Sequence, residues 1–151
     1  MSVCIFFGHR DCYGLNVEKL RSIIEELITR NGVDTFYVGH QGNFDGMVLS
    51  CLKKVKEDYP HISYSVVLAY LPEHNGAHQW YSVYPEGMEN VPRRFSVECR
   101  NKWMIERAKG GYCVCCVERD WGGAYKFVRK AQRSNITVIN LGNPNGTGGK
   151  H

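Results

Sequence analysis

Apolar positions along the chain alternate between short runs rich in β-branched and aromatic residues and longer stretches with helical spacing. The first run, Val3–Phe7, predicts a buried strand that Gly8 ends. The stretch after Asn16 predicts a helix, with Asn16 as its N-cap and Asn31-Gly32 as its stop. The apolar positions with helical spacing in this stretch are Leu20, Ile23, Ile24, Leu27 and Ile28.

The same alternation continues through the rest of the chain. It predicts further strands over Thr35–Val38, Ile62–Leu71, Tyr112–Val117 and Thr137–Ile139. It predicts further helices over Asp45–Tyr59, Ser96–Lys109 and Gly122–Ser134. Strands separated by helices are typical of a parallel sheet, so we expect a Rossmann-like three-layer α/β domain. Its mostly parallel sheet would have about five strands, with helices on both faces. We expect one such domain over residues 1–141 and a flexible, Gly- and Asn-rich tail over 142–151.

The connection from Pro72 to Phe95 shows neither the alternation of a strand nor the apolar spacing of a helix. It is also long for a loop in a compact domain. Its aromatic and histidine residues are His74, His78, Trp80, Tyr81 and Tyr84. Loops of this length often act as lids or binding loops, and these rings could stack on a base. The alternative is that they form a small cluster that packs the loop onto the domain. The two interpretations are compatible with each other.

Composition and charge are those of an ordinary globular domain. The 151 residues are 43% hydrophobic and 23% charged, and the longest apolar runs are too short to span a membrane. The net charge of +4 is spread along the chain, whereas nucleic-acid-binding domains usually concentrate basic residues on one face. No basic-then-apolar signal segment opens the sequence. We therefore expect a cytoplasmic protein without a membrane partner, and nucleic acid as an unfavoured partner.

The seven cysteines do not form a recognisable metal or disulfide pattern. An odd number without regular spacing argues against a disulfide framework. The cluster Cys113-Val114-Cys115-Cys116 lacks the spacing of a zinc knuckle, and alternate residues of a strand face opposite ways. We expect these cysteines to be small, reduced residues of a buried strand, with a thiol redox role as the alternative. No spacing demands a metal or a cofactor, and we expect neither.

Polar and glycine residues gather at the predicted carboxyl ends of the strands, where parallel sheets bind their ligands. Glycine-rich turns ahead of a helix present free N–H groups and the positive end of the helix dipole, which suits a phosphate. Arg100 could bind a phosphate or carboxylate bidentately, or could form a structural salt bridge. The predicted ligand-binding residues are Gly8, His9, Arg10, Gly39, Gly42, Asp45, Arg100, Asn101, Gly122 and Gly123.

Carboxylates at the same edge are candidates for chemistry. Asp45 either caps a helix or binds a ribose hydroxyl. The candidate catalytic residues are Arg100, Glu98 and Asp45, without an assigned reaction. The remaining acid–base groups at this edge are Asp11, Glu118, His9 and His40.

Several of these segments together resemble the SLOG superfamily of Rossmann-like domains, which includes the Smf/DprA and Lonely-guy-type proteins. The match is closest to small stand-alone bacterial members of unassigned function and covers roughly residues 3–140. The matching segments are Phe6-Phe7-Gly8-His9-Arg10, Tyr37-Val38-Gly39, Gly42-Asn43-Phe44-Asp45, Lys56-Glu57-Asp58-Tyr59-Pro60 and Arg100-Asn101-Lys102-Trp103-Met104. The resemblance implies a nucleotide-like ligand at the strand ends, and it makes a homo-oligomer possible because relatives often pair.

The hydrolases of this superfamily carry a Pro-Gly-Gly-x-Gly-Thr-x-x-Glu motif whose glutamate assists cleavage of the base–ribose bond. The corresponding segment here begins Trp121-Gly122-Gly123-Ala124 and lacks the third glycine, the threonine and the glutamate, although Arg100 is retained. We therefore expect binding or sensing of a nucleotide or nucleotide-derived, ADP-ribose-like ligand. The alternative is a hydrolase or transferase acting on the glycosidic or phosphate bond of a nucleotide, and the weakest hypothesis is single-stranded nucleic-acid binding.

Overall fold

The computed structural model describes residues 1–9, 12, 14–40, 42–71 and 81–142, and these residues form a parallel sheet covered by helices on both faces. The strands are β1 (Val3–Gly8), β2 (Thr35–Val38), β3 (Ser63–Val67), β4 (Ser82–Val83), β5 (Tyr112–Cys116) and β6 (Thr137–Asn140). The α-helices are α1 (Val17–Asn31), α2 (Asn43–Asp58), α3 (Ser96–Arg107) and α4 (Gly123–Gln132). The predicted α/β Rossmann-like three-layer class is confirmed.

The order of the strands determines where a ligand can enter. Across the sheet the order is β4-β3-β2-β1-β5-β6, and every pair of neighbours is parallel. The chain therefore builds outward from β1 to β4 and then returns to place β5 on the other side of β1. In open parallel sheets, a crevice forms beyond the carboxyl ends of the two strands where this reversal occurs. Here those two strands are β1 and β5.

Two apolar layers hold the helices against the sheet because alternate residues of each strand face opposite ways. Phe6 of β1 belongs to the layer under α1 and α2, with Leu20 and Val48 from those helices. Ile5 and Phe7 belong to the layer under α3 and α4. The same alternation divides β5, where Cys113 and Cys115 face α3 and α4 while Val114 and Cys116 face α1 and α2.

The predicted limits of the first helix agree with the observed caps. The Asn16 side-chain oxygen accepts a hydrogen bond from the Lys19 backbone N–H at 3.1 Å. At the other end, Gly32 has a left-handed backbone with φ of 71°, which glycine adopts without steric cost.

The greatest departures from the predicted elements lie between residues 62 and 95. The third strand ends at Val67, four residues before the predicted Leu71. The connection predicted to lack regular structure contains β4, a short edge strand that pairs with β3, and two 3₁₀ turns at Met88–Asn90 and Arg93–Phe95. A two-residue strand is too short to show alternation, so the pattern could not reveal it.

Residues 72–80 and the predicted tail beyond 142 lie outside the described residues. Among the described helices, none combines the length and apolar character needed to cross a membrane.

The expectation that the cysteines are reduced is wrong for Cys116, which forms a disulfide with Cys12. The two residues are 104 positions apart, so no local spacing could indicate the pair. It forms because Cys12 follows β1 and Cys116 ends the neighbouring β5. Cys4, Cys113 and Cys115 are buried free thiols, as expected. Burial raises the pKa of the Cys4 thiol far above its ordinary value, which keeps the thiol protonated and unreactive.

Candidate functional site

A cavity of about 350 Å³ opens at the carboxyl ends of the central strands, beside the reversal between β1 and β5. Its volume lies at the lower end of the range for small-molecule sites, roughly 300–1,000 Å³. Its walls combine the end of β1 with residues of α2, α3 and α4. The lining residues are Phe6, Phe7, Gly8, His9, Gly39, Asp45, Val97, Arg100, Asn101, Met104, Arg119, Gly123, Ala124 and Phe127.

Arg100 is the central charged residue of this cavity, although only 3% of it is exposed to solvent. It lies in α3 and reaches across to the end of β3. There its Nη1 donates a hydrogen bond to the Val67 carbonyl oxygen at 3.0 Å, and its Nε donates to Asn101 Oδ1 at 2.7 Å. These two bonds fix the plane of the guanidinium. Arg100 is thus held as a rigid cation that lines the cavity.

Burial and a neighbouring carboxylate have opposite effects on the charge of Arg100. Burial lowers the pKa of Arg100, and the nearby negative charge of Asp45 acts in the opposite direction by raising it. Asp45 is itself only 8% exposed and lines the same cavity. A buried cation is costly unless opposite charge and hydrogen bonds compensate for its desolvation. The carboxylate of Asp45 and the two hydrogen bonds of Arg100 supply this compensation.

Gly39 allows the charged pair to approach the backbone that follows β2. A methyl group at this position would lie 2.5 Å from Arg100 Nη1 and 2.9 Å from Asp45 Oδ2. Both distances are far below ordinary contact distances, so the site requires a residue without a side chain here. The sequence predicted Gly39 only as a ligand-binding residue. In the structure the close approach is to the side chains of Arg100 and Asp45.

Two helices begin at this edge with glycine N-caps in nearly the same backbone conformation. Gly42 before α2 has φ 96° and ψ −177°, and Gly122 before α4 has φ 100° and ψ 172°. As glycines, neither cap supplies a side-chain hydrogen bond to the first N–H groups of its helix. Gly122 also lies near His9, since a methyl group on Gly122 would be 4.0 Å from His9 Cε1.

The arginine that follows β5 contributes to the outer part of the cavity. Arg119 lines the cavity, and its guanidinium carbon lies 4.3 Å from the centre of the Trp121 ring. Trp121 is 63% exposed, so this stacked pair forms part of the surface beside the start of α4. Stacking on the ring orients the guanidinium of Arg119.

The two carboxylates proposed as catalytic candidates occupy very different positions. Asp45 is buried in the cavity beside Arg100. Glu98 is not among the lining residues and pairs with Lys126 at 3.2 Å, linking α3 to α4 on the surface. The hydrogen bond from Lys126 lowers the pKa of Glu98, so Glu98 is a poor proton donor near neutral pH. Of the two, Asp45 is the better placed for chemistry on a bound ligand.

Most of the predicted ligand-binding residues come together in space. Gly8, His9, Gly39, Asp45, Arg100, Asn101 and Gly123 all line the cavity. Gly42 and Gly122 are the N-caps of α2 and α4, and both helices contribute residues to the cavity lining. Arg10 lies outside the described residues.

Sequence reasoning did not select seven further lining residues as ligand-binding: Phe6, Phe7, Val97, Met104, Arg119, Ala124 and Phe127. Arg119 carried a usable signal, because it lies three residues after the end of β5 and could have been chosen as a strand-end residue, as His9 was. Val97 carried a weaker signal, since it precedes Arg100 by one helical turn on α3.

The pair Cys12 and Cys116 lies close to Glu118, with ligand atoms within 4.8 Å of one another. Two sulfur atoms and a carboxylate are a possible zinc donor set. The two sulfur atoms are bonded to each other in the disulfide, however, and are therefore not available as thiolate ligands.

The chain matches no protein-family model and no curated protein sequence.

Proposed function

We propose that this protein binds a nucleotide or nucleotide-derived ligand, ADP-ribose-like in character, at the carboxyl ends of its strands. The observation that carries the proposal is the buried, hydrogen-bonded guanidinium of Arg100 lining a cavity at the strand-order reversal. A fixed guanidinium recognises phosphate and carboxylate groups bidentately.

A phosphate has a natural place near the start of α4. Gly122 and Gly123 put no side chain between the helix N-terminus and the cavity, and Gly123 has open space around it. The first N–H groups of the helix and the positive end of its dipole favour an anion at this position. Arg119 adds a positive charge at the same end of the cavity.

The remainder of the cavity suits a ribose or a base. Asp45 and the Asn101 side chain supply groups that hydrogen-bond to hydroxyls, while Phe6, Met104 and Phe127 supply apolar wall. A volume of about 350 Å³ fits one nucleotide unit, with any second unit extending towards the opening. The resemblance to the SLOG superfamily supports the same class of ligand, and the lack of the hydrolase glutamate supports binding over hydrolysis.

The test is a thermal-shift screen with AMP, ADP-ribose, cyclic ADP-ribose, NAD and cyclic dinucleotides, followed by chromatography of each mixture. A ligand at a hundred times its dissociation constant stabilises the folded chain by about 2.7 kcal/mol, a readily measured shift. Recovery of the ligand intact supports a binder or sensor. A panel that leaves the melting temperature unchanged contradicts the proposal.

Two substitutions in α3 provide a matched comparison. Arg100→Lys keeps the positive charge but removes the planar fork, so it should weaken binding at least about tenfold. Arg107→Ala removes an exposed arginine that stacks on Trp103 away from the cavity, and it should leave the dissociation constant unchanged. Equal affinities of Arg100→Lys and the unsubstituted chain would contradict a role for the guanidinium.

A second candidate function, hydrolysis or group transfer at a nucleotide bond, is favoured by the burial of Asp45 within the cavity. A carboxylate in this position could orient or deprotonate an attacking water. Chromatography of the same mixtures would then show products, and Asp45→Asn should abolish their formation while leaving measurable binding. Salt-sensitive retention of single-stranded DNA, without any shift by the small ligands, would instead favour nucleic-acid binding.

A further inference from the structure

The disulfide between Cys12 and Cys116 is next to two residues that line the candidate cavity, since Cys116 is opposite Gly8 across the sheet and both cysteines bond to the His9 backbone. We propose that reversible reduction of this disulfide controls ligand binding, with the oxidised form as the high-affinity state. This inference rests on the proposed function, since it concerns regulation of the same site. It follows from the way in which the cysteine pair holds two separate parts of the cavity.

The first of these parts is His9, a cavity residue that is only 4% exposed. The His9 backbone N–H donates to the Cys116 carbonyl oxygen at 3.2 Å, and the Cys12 N–H donates to the His9 carbonyl oxygen at 3.3 Å. His9 is thus held by backbone bonds to both cysteines, and the covalent bond joins those cysteines to each other. Loss of the covalent bond would leave Cys12 and Cys116 joined only indirectly, with these backbone hydrogen bonds through His9 as one such link.

The second part is the start of α2. Asn43 Nδ2 donates a hydrogen bond to the Cys12 carbonyl oxygen at 2.5 Å. Asn43 is the first residue of α2 and directly follows its N-cap Gly42, while Asp45 lies two residues further on in the cavity. The position of Cys12 therefore affects the N-terminus of α2 as well as His9.

Among the seven cysteines, only Cys12 and Cys116 form a disulfide that a reductant can break. The other five are free thiols: Cys4, Cys51, Cys99, Cys113 and Cys115. A small dithiol such as dithiothreitol transfers two electrons and two protons. The Sγ–Sγ bond breaks, Cys12 and Cys116 become thiols, and the dithiol closes to its own disulfide.

Both cysteines are at most 1% exposed, so reduction requires a transient local opening that brings the sulfur atoms into contact with the dithiol. After reduction, the binding-competent arrangement of His9 would be only partly populated, and the apparent dissociation constant rises by the inverse of that population. A population of about one tenth gives a tenfold weaker affinity.

The experiment measures the affinity of the oxidised and the reduced chain for the same nucleotide panel by isothermal titration at 25 °C. Thiol titration of the denatured chain verifies the two states, with five free thiols expected before reduction and seven after it. The double variant Cys12→Ser/Cys116→Ser cannot form the disulfide under any conditions. Cys99→Ser on α3 is the matched control, because it removes a thiol that is not part of the disulfide. Amide hydrogen exchange at His9 and Cys12 is followed in parallel and does not depend on any ligand.

We expect at least about tenfold weaker binding and faster exchange at His9 and Cys12 on reduction. The double serine variant should match the reduced chain, and Cys99→Ser should respond to reduction as the unsubstituted chain does. If the double variant does not fold, the reduced chain gives the same comparison. Equal affinities of the oxidised and reduced chains, or unchanged exchange at His9, would overturn the redox proposal alone. If the oxidised chain binds no member of the panel, the proposed function fails, and the redox proposal fails with it.

Discussion

Replacing Gly39 with alanine places a methyl group against the guanidinium of Arg100 and the carboxylate of Asp45. The added carbon would lie 2.5 Å from Arg100 Nη1 and 2.9 Å from both Arg100 Cζ and Asp45 Oδ2. Since non-bonded heavy atoms settle at roughly 3.5 Å or more, Nη1 would have to move by about 1 Å. A displacement of that size is enough to break the 3.0 Å hydrogen bond to the Val67 carbonyl oxygen.

A hydrogen bond to a charged group contributes about 1.5–3 kcal/mol, and overpacking of a buried site costs about 1–3 kcal/mol. Because moving the guanidinium breaks the hydrogen bond but relieves the overpacking, these costs are alternatives, and we expect Gly39→Ala to lower the free energy of unfolding by about 1–3 kcal/mol. The misplaced guanidinium should also weaken ligand binding at least about tenfold, because each 1.4 kcal/mol of lost interaction is a factor of about ten.

The assay combines urea denaturation with titration of the best ligand from the nucleotide panel. Gly46→Ala is the matched control, since Gly46 is inside α2 and a methyl group there would meet no atom within 4 Å. Alanine in a helix is favoured over glycine, so the control should gain up to about 1 kcal/mol and bind normally. If Gly39→Ala retained both the stability and the affinity of the unsubstituted chain, the close packing of Arg100 against Gly39 would be refuted.

Three further substitutions test other parts of the site and the fold. Gly123→Ala has open space for its methyl group, so the melting temperature should change little. Titration should show a weaker ligand affinity if a phosphate lies at the start of α4. Glu98→Gln removes the surface pair with Lys126. Because this pair lowers the pKa of Glu98 in the folded state, its stabilisation is present at neutral pH and is lost as the pH falls through the lowered pKa. Urea denaturation should thus distinguish Glu98→Gln from the unsubstituted chain at pH 7 and not in strong acid. Asn140→Ala removes the side-chain hydrogen bonds to both backbone groups of Val117, so we expect a loss of about 1–2 kcal/mol by the same measurement, and an unchanged value would contradict a structural role for Asn140.

The layers of the fold could be predicted from the sequence because they depend on local periodicity. The strand limits of Thr35–Val38 agree with the prediction, and the Asn16 cap of the first helix is where the pattern placed it. Elements without a period were missed: β4 is two residues long, and its place at the sheet edge depends on pairing with β3. The disulfide was missed for a related reason, since it depends on the adjacency of β1 and β5 and not on any spacing between Cys12 and Cys116.

The candidate cavity could be anticipated in outline because the carboxyl ends of parallel strands must share one edge. That rule selected Gly8, Gly39 and Arg100, which do lie together. It could not show that Arg100 is held by the Val67 carbonyl oxygen, or that Glu98 points to Lys126 and away from the lining. Both facts depend on the direction in which a side chain points in the folded structure, and the pattern of residues along the sequence does not specify that direction. The identity of any ligand remains a prediction.

The pairing of β1 with β5 has a consequence for the kinetics of folding. Cys4 lies opposite Tyr112 across these two strands, so the centre of the sheet joins segments that are far apart along the chain. Contacts of this kind require closure of a long segment and slow the folding reaction. The cavity combines Gly8 of β1 with Gly123 of α4, the helix that follows β5, so it is complete only after β1 and β5 have met. A ligand that needs both walls would therefore bind only after this meeting, and it should slow unfolding without accelerating folding.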